Sequence, residues 1–225
     1  MKKVLVVSAH PDDEILGAGG SLIRHCEEGD QLAWLIVTNI HESAAFNKDV
    51  IQKRQEEIER VAVRLNMKIF KLDYPTMQLS SRDLLGMVPE ISKVFQEFQP
   101  ERLYVMNRSD AHSDHRVVFD AVMACTKSFR YPFIREVMMY ECLSETEFAP
   151  ALPEKVFQPN CFIDISKQME GKIELMNIYA SEIGEHPFPR SEKNIRALAT
   201  FRGATCGSEF AEAFQILKSF RFEEL

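Results

Sequence analysis

The residues best suited to chemistry fall into two clusters. The first, "SAHPDDEILGAGG" (residues 8–20), sets His10 ahead of Asp12, Asp13 and Glu14. The second, "NRSDAHSDH" (residues 107–115), holds Asp110, His112, Asp114 and His115. Each has a plain structural explanation. Pro11 at a first helical position, followed by three acids, makes a stable helix start. Proline loses no hydrogen bond there, and the carboxylates complement the helix dipole. Ser109, Asp110, Ser113 and Asp114 are likewise good caps and turn formers. Capping gives no reason for His10, His112 and His115. His10 and Asp13 are three apart, as are His112 and His115, so each pair can share one face of a first helical turn. One carboxylate and up to three imidazoles would then converge. A three-ligand N/O set with an open position is the arrangement of a catalytic zinc or related divalent ion.

The elements that must position these clusters are legible as alternating runs. "KKVLVVSA", "LAWLIVTN", "KIFKLDY" and "RLYVMN" read as strands. Between and after them, "EILGAGGSLIRHCEEG", "KDVIQKRQEEIERVAVRLN", "RDLLGMVPEISKVFQEF" and "HRVVFDAVMACTKSF" read as helices, the third interrupted by Pro89. Such alternation predicts right-handed βαβ units and an α/β fold, a Rossmann-like, mostly parallel sheet flanked by helices on both faces. Beyond Pro132, "EVMMYE" and "CFIDI" read as strands, "KQMEGKIELMNIYASE" and "EKNIRALATFRG" as helices, and "EFAEAFQILKS" as a closing helix. No repeat, low-complexity tract or linker appears, so residues 1–225 are read as one domain. "AHPDDE" follows the first strand and "NRSDAHSDH" the fourth. Ligands in open α/β sheets bind beyond the carboxyl ends of the strands, which places the metal site at that edge of strands 1 and 4.

Composition excludes several partners. The 225 residues are 45% hydrophobic and 27% charged, with a formal net charge of −7 and no long Lys/Arg cluster. That argues against nucleic acid or an anionic membrane as partner. No segment approaches the ~20 apolar residues of a membrane span. The short apolar run behind the two N-terminal lysines lacks the length and cleavage site of a signal peptide. Cys26, Cys125, Cys142, Cys161 and Cys206 are scattered and odd in number, which fits reduced thiols in a cytoplasmic protein.

Taken together, "AHPDDE" (residues 9–14) and "HSDH" (residues 112–115) resemble the LmbE-like, or PIG-L-type, de-N-acetylase family. "YASE", "HPFPRS" and "ALATFRGATCGSEFAEAF" are similar to that family's C-terminal region. The resemblance implies His10, Asp13 and His115 as metal ligands and Asp12 as general base. It implies His112 as the group that stabilises the oxyanion, with Asp114 orienting His112 and raising its pKa. Arg54 falls where the family has an arginine that contacts sugar hydroxyls. The implied cofactor is zinc, with ferrous iron or another divalent ion as alternatives. The implied substrate is a small N-acetylated amino sugar or N-acetylglucosamine conjugate. A non-sugar N-acyl substrate is the second reading. A non-catalytic carbohydrate- or metal-binding module is the third, which an intact Asp12 argues against. "TNIHESAAF" lacks a glycine many relatives have, and Thr76 stands where aspartate is frequent.

Other residues divide between plain and functional roles. His41 and Glu42 follow the second strand and touch either substrate or solvent. Arg54 also suits an i,i+3 pair with Glu57. "GAGG" lacks the third glycine of a dinucleotide fingerprint, since Leu22 stands there, and fits close helix packing instead. Arg202 before Gly203 suits a helix cap or an anion contact. The tail "AEAFQILKSFRF" reads as core, any exposed part being a homo-oligomer contact.

Overall fold

The computed structural model describes residues 1–43 and 46–221, so Ala44 and Ala45 of the "HESAAF" loop and Phe222 of the tail lie outside the described residues. The chain runs β1 (Lys3–Ser8), α1 (Asp13–Glu27), β2 (Gln31–Asn39), α2 (Lys48–Arg64), β3 (Met67–Pro75), α3 (Leu84–Phe98) and β4 (Arg102–Met106). It continues through α4 (Ser113–Ala124), β5 (Glu136–Tyr140), β6 (Cys161–Asp164), α5 (Met169–Met176), α6 (Glu192–Cys206) and β7 (Ala211–Ser219).

One seven-stranded sheet has the order β3-β2-β1-β4-β5-β7-β6. The first five of these pair in parallel, and β7 is antiparallel to both β5 and β6. β1 from Val4 onward and β2 from Leu32 to Thr38 are buried, so neither strand shows an alternating pattern. That is the signature of a sheet covered on both faces. The strand order moves outward from β1 in one direction through β2 and β3, then in the other through β4 and β5. With right-handed crossovers, this reversal opens a crevice between the carboxyl ends of β1 and β4.

The glycines of α1 serve packing. A Cβ on Gly17 would stand 2.0 Å from the Tyr140 ring, and one on Gly20 would stand 2.7 Å from Ile165. At Gly20 the buried Glu212 of β7 accepts the backbone N–H groups of Gly20 and Ser21, at 2.8 and 2.7 Å. Lys172 of α5 donates both to Leu16 O, at 2.8 Å, and to Glu212, at 2.6 Å. A buried ion pair is thus inserted beside the α1 backbone and ties it to α5 and β7.

Two expectations are corrected. "EFAEAFQILKS" is not a closing helix but strand β7, which fills the position between β5 and β6. Ala, Glu, Gln, Leu and Lys are good helix formers, but β5 and β6 offer unpaired ladders that outweigh local propensity. α3 is continuous through Pro89. The carbonyl that Pro89 leaves without a partner is that of Leu85, on a turn whose side chain is 88% exposed, where water can satisfy it.

Candidate active site

The two clusters meet because β1 pairs directly with β4, Val4 opposite Arg102 and Val6 opposite Tyr104, so the segments that follow emerge side by side. The His10 and His112 ring centroids are 4.4 Å apart, and His115 lies 5.4 Å from His10 and 5.5 Å from His112. Donor atoms of His10, Asp13 and His115 all lie within 4.8 Å of one another. An overlapping group, His10, His112 and Asp114, meets the same limit.

Two imidazoles flank Asp13 in the same way. His115 Nδ1 is 2.8 Å from the buried Asp110 carboxylate, while its Nε2 is 3.2 Å from Asp13 Oδ1. His10 Nε2 is 3.1 Å from the buried Asp114 carboxylate, while its Nδ1 is 3.8 Å from Asp13 Oδ2. Each ring is therefore backed by one carboxylate and turns its other nitrogen toward Asp13. Burial alone would raise the Asp13 pKa, but the His115 and His10 rings outweigh it and hold it well below the carboxylate range. Burial likewise opposes charge on His115, but Asp13 and Asp110 outweigh it and push its pKa up. His115 Nε2 is nevertheless buried with no hydrogen-bond partner. An orphaned imidazole nitrogen beside an ionised carboxylate fits a divalent cation, and carboxylate-backed histidines are the usual support for one.

Asp12 is the N-cap of α1 and has φ 134°, ψ −31°, a conformation costly for a residue with a side chain. Burial, then the neighbouring Asp13, raises its pKa well above the ordinary value. His112 caps α4, its Nδ1 accepting from Asp114 N at 3.1 Å, and its backbone N–H donates to Glu145 at 3.0 Å. Asp114 holds the His112 ring through its backbone N–H rather than, as expected, through its carboxylate. Its carboxylate backs His10 and accepts the N–H groups of Met77 and Leu79 at 2.7 and 3.1 Å, tying the loop after β3 to the site. Burial, then the His10 and His115 rings, lower the His112 pKa to about 4; Asp114 acts in the expected upward direction but is outweighed.

The clusters form the floor of a cavity of about 280 Å³. Its walls include Thr38 and Asn39 at the end of β2, Ile40 and Phe46 after it, Thr76 and Met77 after β3, and Arg54 of α2. His41 is not among them; it is exposed, 3.6 Å from Asp73. Arg54 does line the cavity, and also pairs with Glu57 at 3.4 Å as its spacing allows. Asp110, Glu145, Glu182 and Arg190 were not singled out from sequence as site residues. Asp110 stands five residues before His115, a spacing that signals little without the fold. Glu182 and Arg190 lie in "YASE" and "HPFPRS". Glu182 accepts from both Arg54 and Arg190, the latter at 3.1 Å. Arg202 is elsewhere, paired with Glu141 at 2.8 and 2.6 Å.

Residues 5–126 match the PIG-L family, described as GlcNAc-PI de-N-acetylase, over more than half of the chain. The chain belongs to the PIG-L family. This PIG-L chain is 24% identical over 226 residues to diacetylchitobiose deacetylase of Thermococcus kodakarensis, spanning 96% of the chain and 84% of that relative. It superposes on N,N'-diacetylchitobiose deacetylase from Pyrococcus horikoshii with a TM-score of 0.76 at 21% identity, over 96% of this chain and 84% of that one. It also superposes on 4-carboxy-2-hydroxymuconate hydratase from Pseudomonas putida KT2440, with a TM-score of 0.73 at 20% identity over 100% of both chains. One fold thus serves two reactions, and the choice rests on the site rather than on the shape.

Proposed function

We propose that this PIG-L chain is a metal-dependent hydrolase that removes the N-acetyl group from an N-acetylated amino sugar or N-acetylglucosamine conjugate. One observation carries the reading. Two imidazoles, each backed by a buried carboxylate, turn their free nitrogens toward Asp13 on the floor of an open cavity, with Asp12 alongside. His10, Asp13 and His115 would hold the ion, zinc being the first choice and ferrous iron the alternative. A divalent ion there would make water a better nucleophile and draw electron density from the amide carbonyl.

The chain's own groups supply the rest. Asp12, beside Asp13 but outside the helix at its N-cap, takes the proton from the attacking water. His112, with Nδ1 engaged by the α4 backbone, has Nε2 left to donate to the developing oxyanion. The amine leaves as its proton returns from Asp12 or His112, giving acetate and a free amino sugar. At about 280 Å³ the cavity is at the small end for ligand sites, which suits one sugar ring with its acetamide, the rest of a conjugate passing the rim. Arg54, Arg190 and Glu182 stand on the wall where hydroxyls would lie.

The apolar rim of Ile40, Phe46 and Met77 favours, as a second reading, a non-sugar N-acyl compound. The deciding experiment is acetate release by metal-loaded protein from N-acetylglucosamine conjugates and N-acyl amino acids, with a chelated control. Chelator-sensitive release from the sugars alone is the expected result. Release from the amino acids alone selects the second reading, and no release from any of them removes both.

A further inference from the structure

The Pro11–Asp12 peptide group is held at both of its polar atoms. Its carbonyl oxygen, on Pro11, accepts from Arg54 Nη1 at 3.1 Å. Its N–H, on Asp12, donates to Glu14 Oε2 at 3.0 Å. Neither partner is loose. Glu14 is fully buried, and its other oxygen accepts the Tyr179 hydroxyl at 2.8 Å. The Arg54 guanidinium lies 5.6 Å from the centre of the Tyr179 ring, and its remaining nitrogens face Glu57, Ser181 and Glu182. Every guanidinium nitrogen thus has a protein partner, so the side chain is fixed before any substrate arrives. The plane of this peptide group sets Asp12 φ, and Asp12 is held at φ 134°. A side chain there is strained, and such a conformation persists only where its surroundings impose it.

We propose that Arg54 and Glu14 are positioning residues that together fix this peptide plane and so aim the Asp12 carboxylate, with Tyr179 bracing both. This rests on the reading of Asp12 as the base. It assigns Arg54 a part in turnover that does not depend on the sugar. Misplacing a reacting group by about 1 Å can cost 10²-fold in rate.

The test compares Arg54→Met and Glu14→Met with the unaltered enzyme. Glu14→Met keeps the length of the side chain but offers the Asp12 N–H no oxygen acceptor. Each variant is assayed on an N-acetylglucosamine conjugate and on a small N-acetyl amine without hydroxyls, and crystallised. The expected result is kcat lowered roughly 10- to 100-fold on both substrates, with KM and bound metal little changed. Asp12 should also leave the positive-φ region in the crystals. The proposal is overturned if Arg54→Met raises only KM for the sugar conjugate, or if Asp12 keeps φ near its present value in both variants. Should Glu14→Met not fold, Arg54→Met carries the test, because that side chain lies at the cavity wall and Met keeps its aliphatic stem. If the unaltered enzyme releases no acetate from anything, the deacetylase reading fails, while the Asp12 geometry in the variants still decides the clamp.

Discussion

A single carboxyl-to-amide change separates the jobs of the acids in this site. Asp12→Asn keeps the residue's size but removes the proton acceptor, so turnover should fall by ~10²–10⁴ with metal content intact. Acetate release and metal analysis on the same sample check both halves. Near-normal turnover would take the base role away from Asp12. Asp110 and Asp114 act through the rings they back, so Asp110→Asn and Asp114→Asn should each weaken metal binding ~10- to 100-fold. Competition with a chelating dye measures this. Asp114→Asn should also raise KM, because the same carboxylate accepts the N–H groups of Met77, which lines the cavity, and of Leu79. These partnerships were half legible in the sequence. The spacing of His10 to Asp13 and of His112 to His115 pointed to convergence, but which carboxylate backs which ring depends on how α1 and α4 face each other.

At the scale of elements, local pattern served wherever burial had a period. α2 begins where Asn47 Oδ1 caps Val50 N at 3.0 Å, and its charged face is exposed, as its sequence reads. β7 misled because its buried stretch, Ala211 to Phe214, is covered on both faces and so shows no alternation. That strand also brings Glu212 to Lys172 and to the α1 backbone, an ion pair with side chains 3% and 5% exposed. Lys172→Met would leave the Glu212 charge buried without its partner, at a cost of about 3–5 kcal/mol, read as a lower urea midpoint. Adding Glu212→Leu should restore only part of the loss, because Gly20 and Ser21 would then lack their acceptor. Gly17→Ala should cost about 1–3 kcal/mol by forcing Tyr140 to move, since its ring stands 2.0 Å from the new Cβ.

For the whole molecule, the candidate metal centre joins the two halves of the sheet on either side of the β1–β4 reversal. An ion bound only by the folded chain stabilises it by mass action. At 1,000 times its dissociation constant the gain is about 4 kcal/mol. For a chain of 225 residues that corresponds to a Tm shift on the order of 10 °C. Calorimetry with zinc and with chelator should show this shift, and His115→Ala should abolish it. An equal shift in His115→Ala would place the ion elsewhere. Among the described residues no helix is long and apolar enough to cross a membrane.

The sequence by itself determined the two clusters of candidate metal ligands, the alternation that makes a parallel sheet, and the edge where the clusters meet. These follow from residue type and short-range spacing, which backbone geometry converts directly into faces and ends. Only the tertiary structure decided that β7 is a strand, that Asp114 serves His10, that His41 stands outside the cavity, and that Glu182 and Arg190 stand on its wall. Each of these depends on a neighbour distant in sequence. Glu182 reaches Arg54 across 128 positions, and no local periodicity encodes such a meeting.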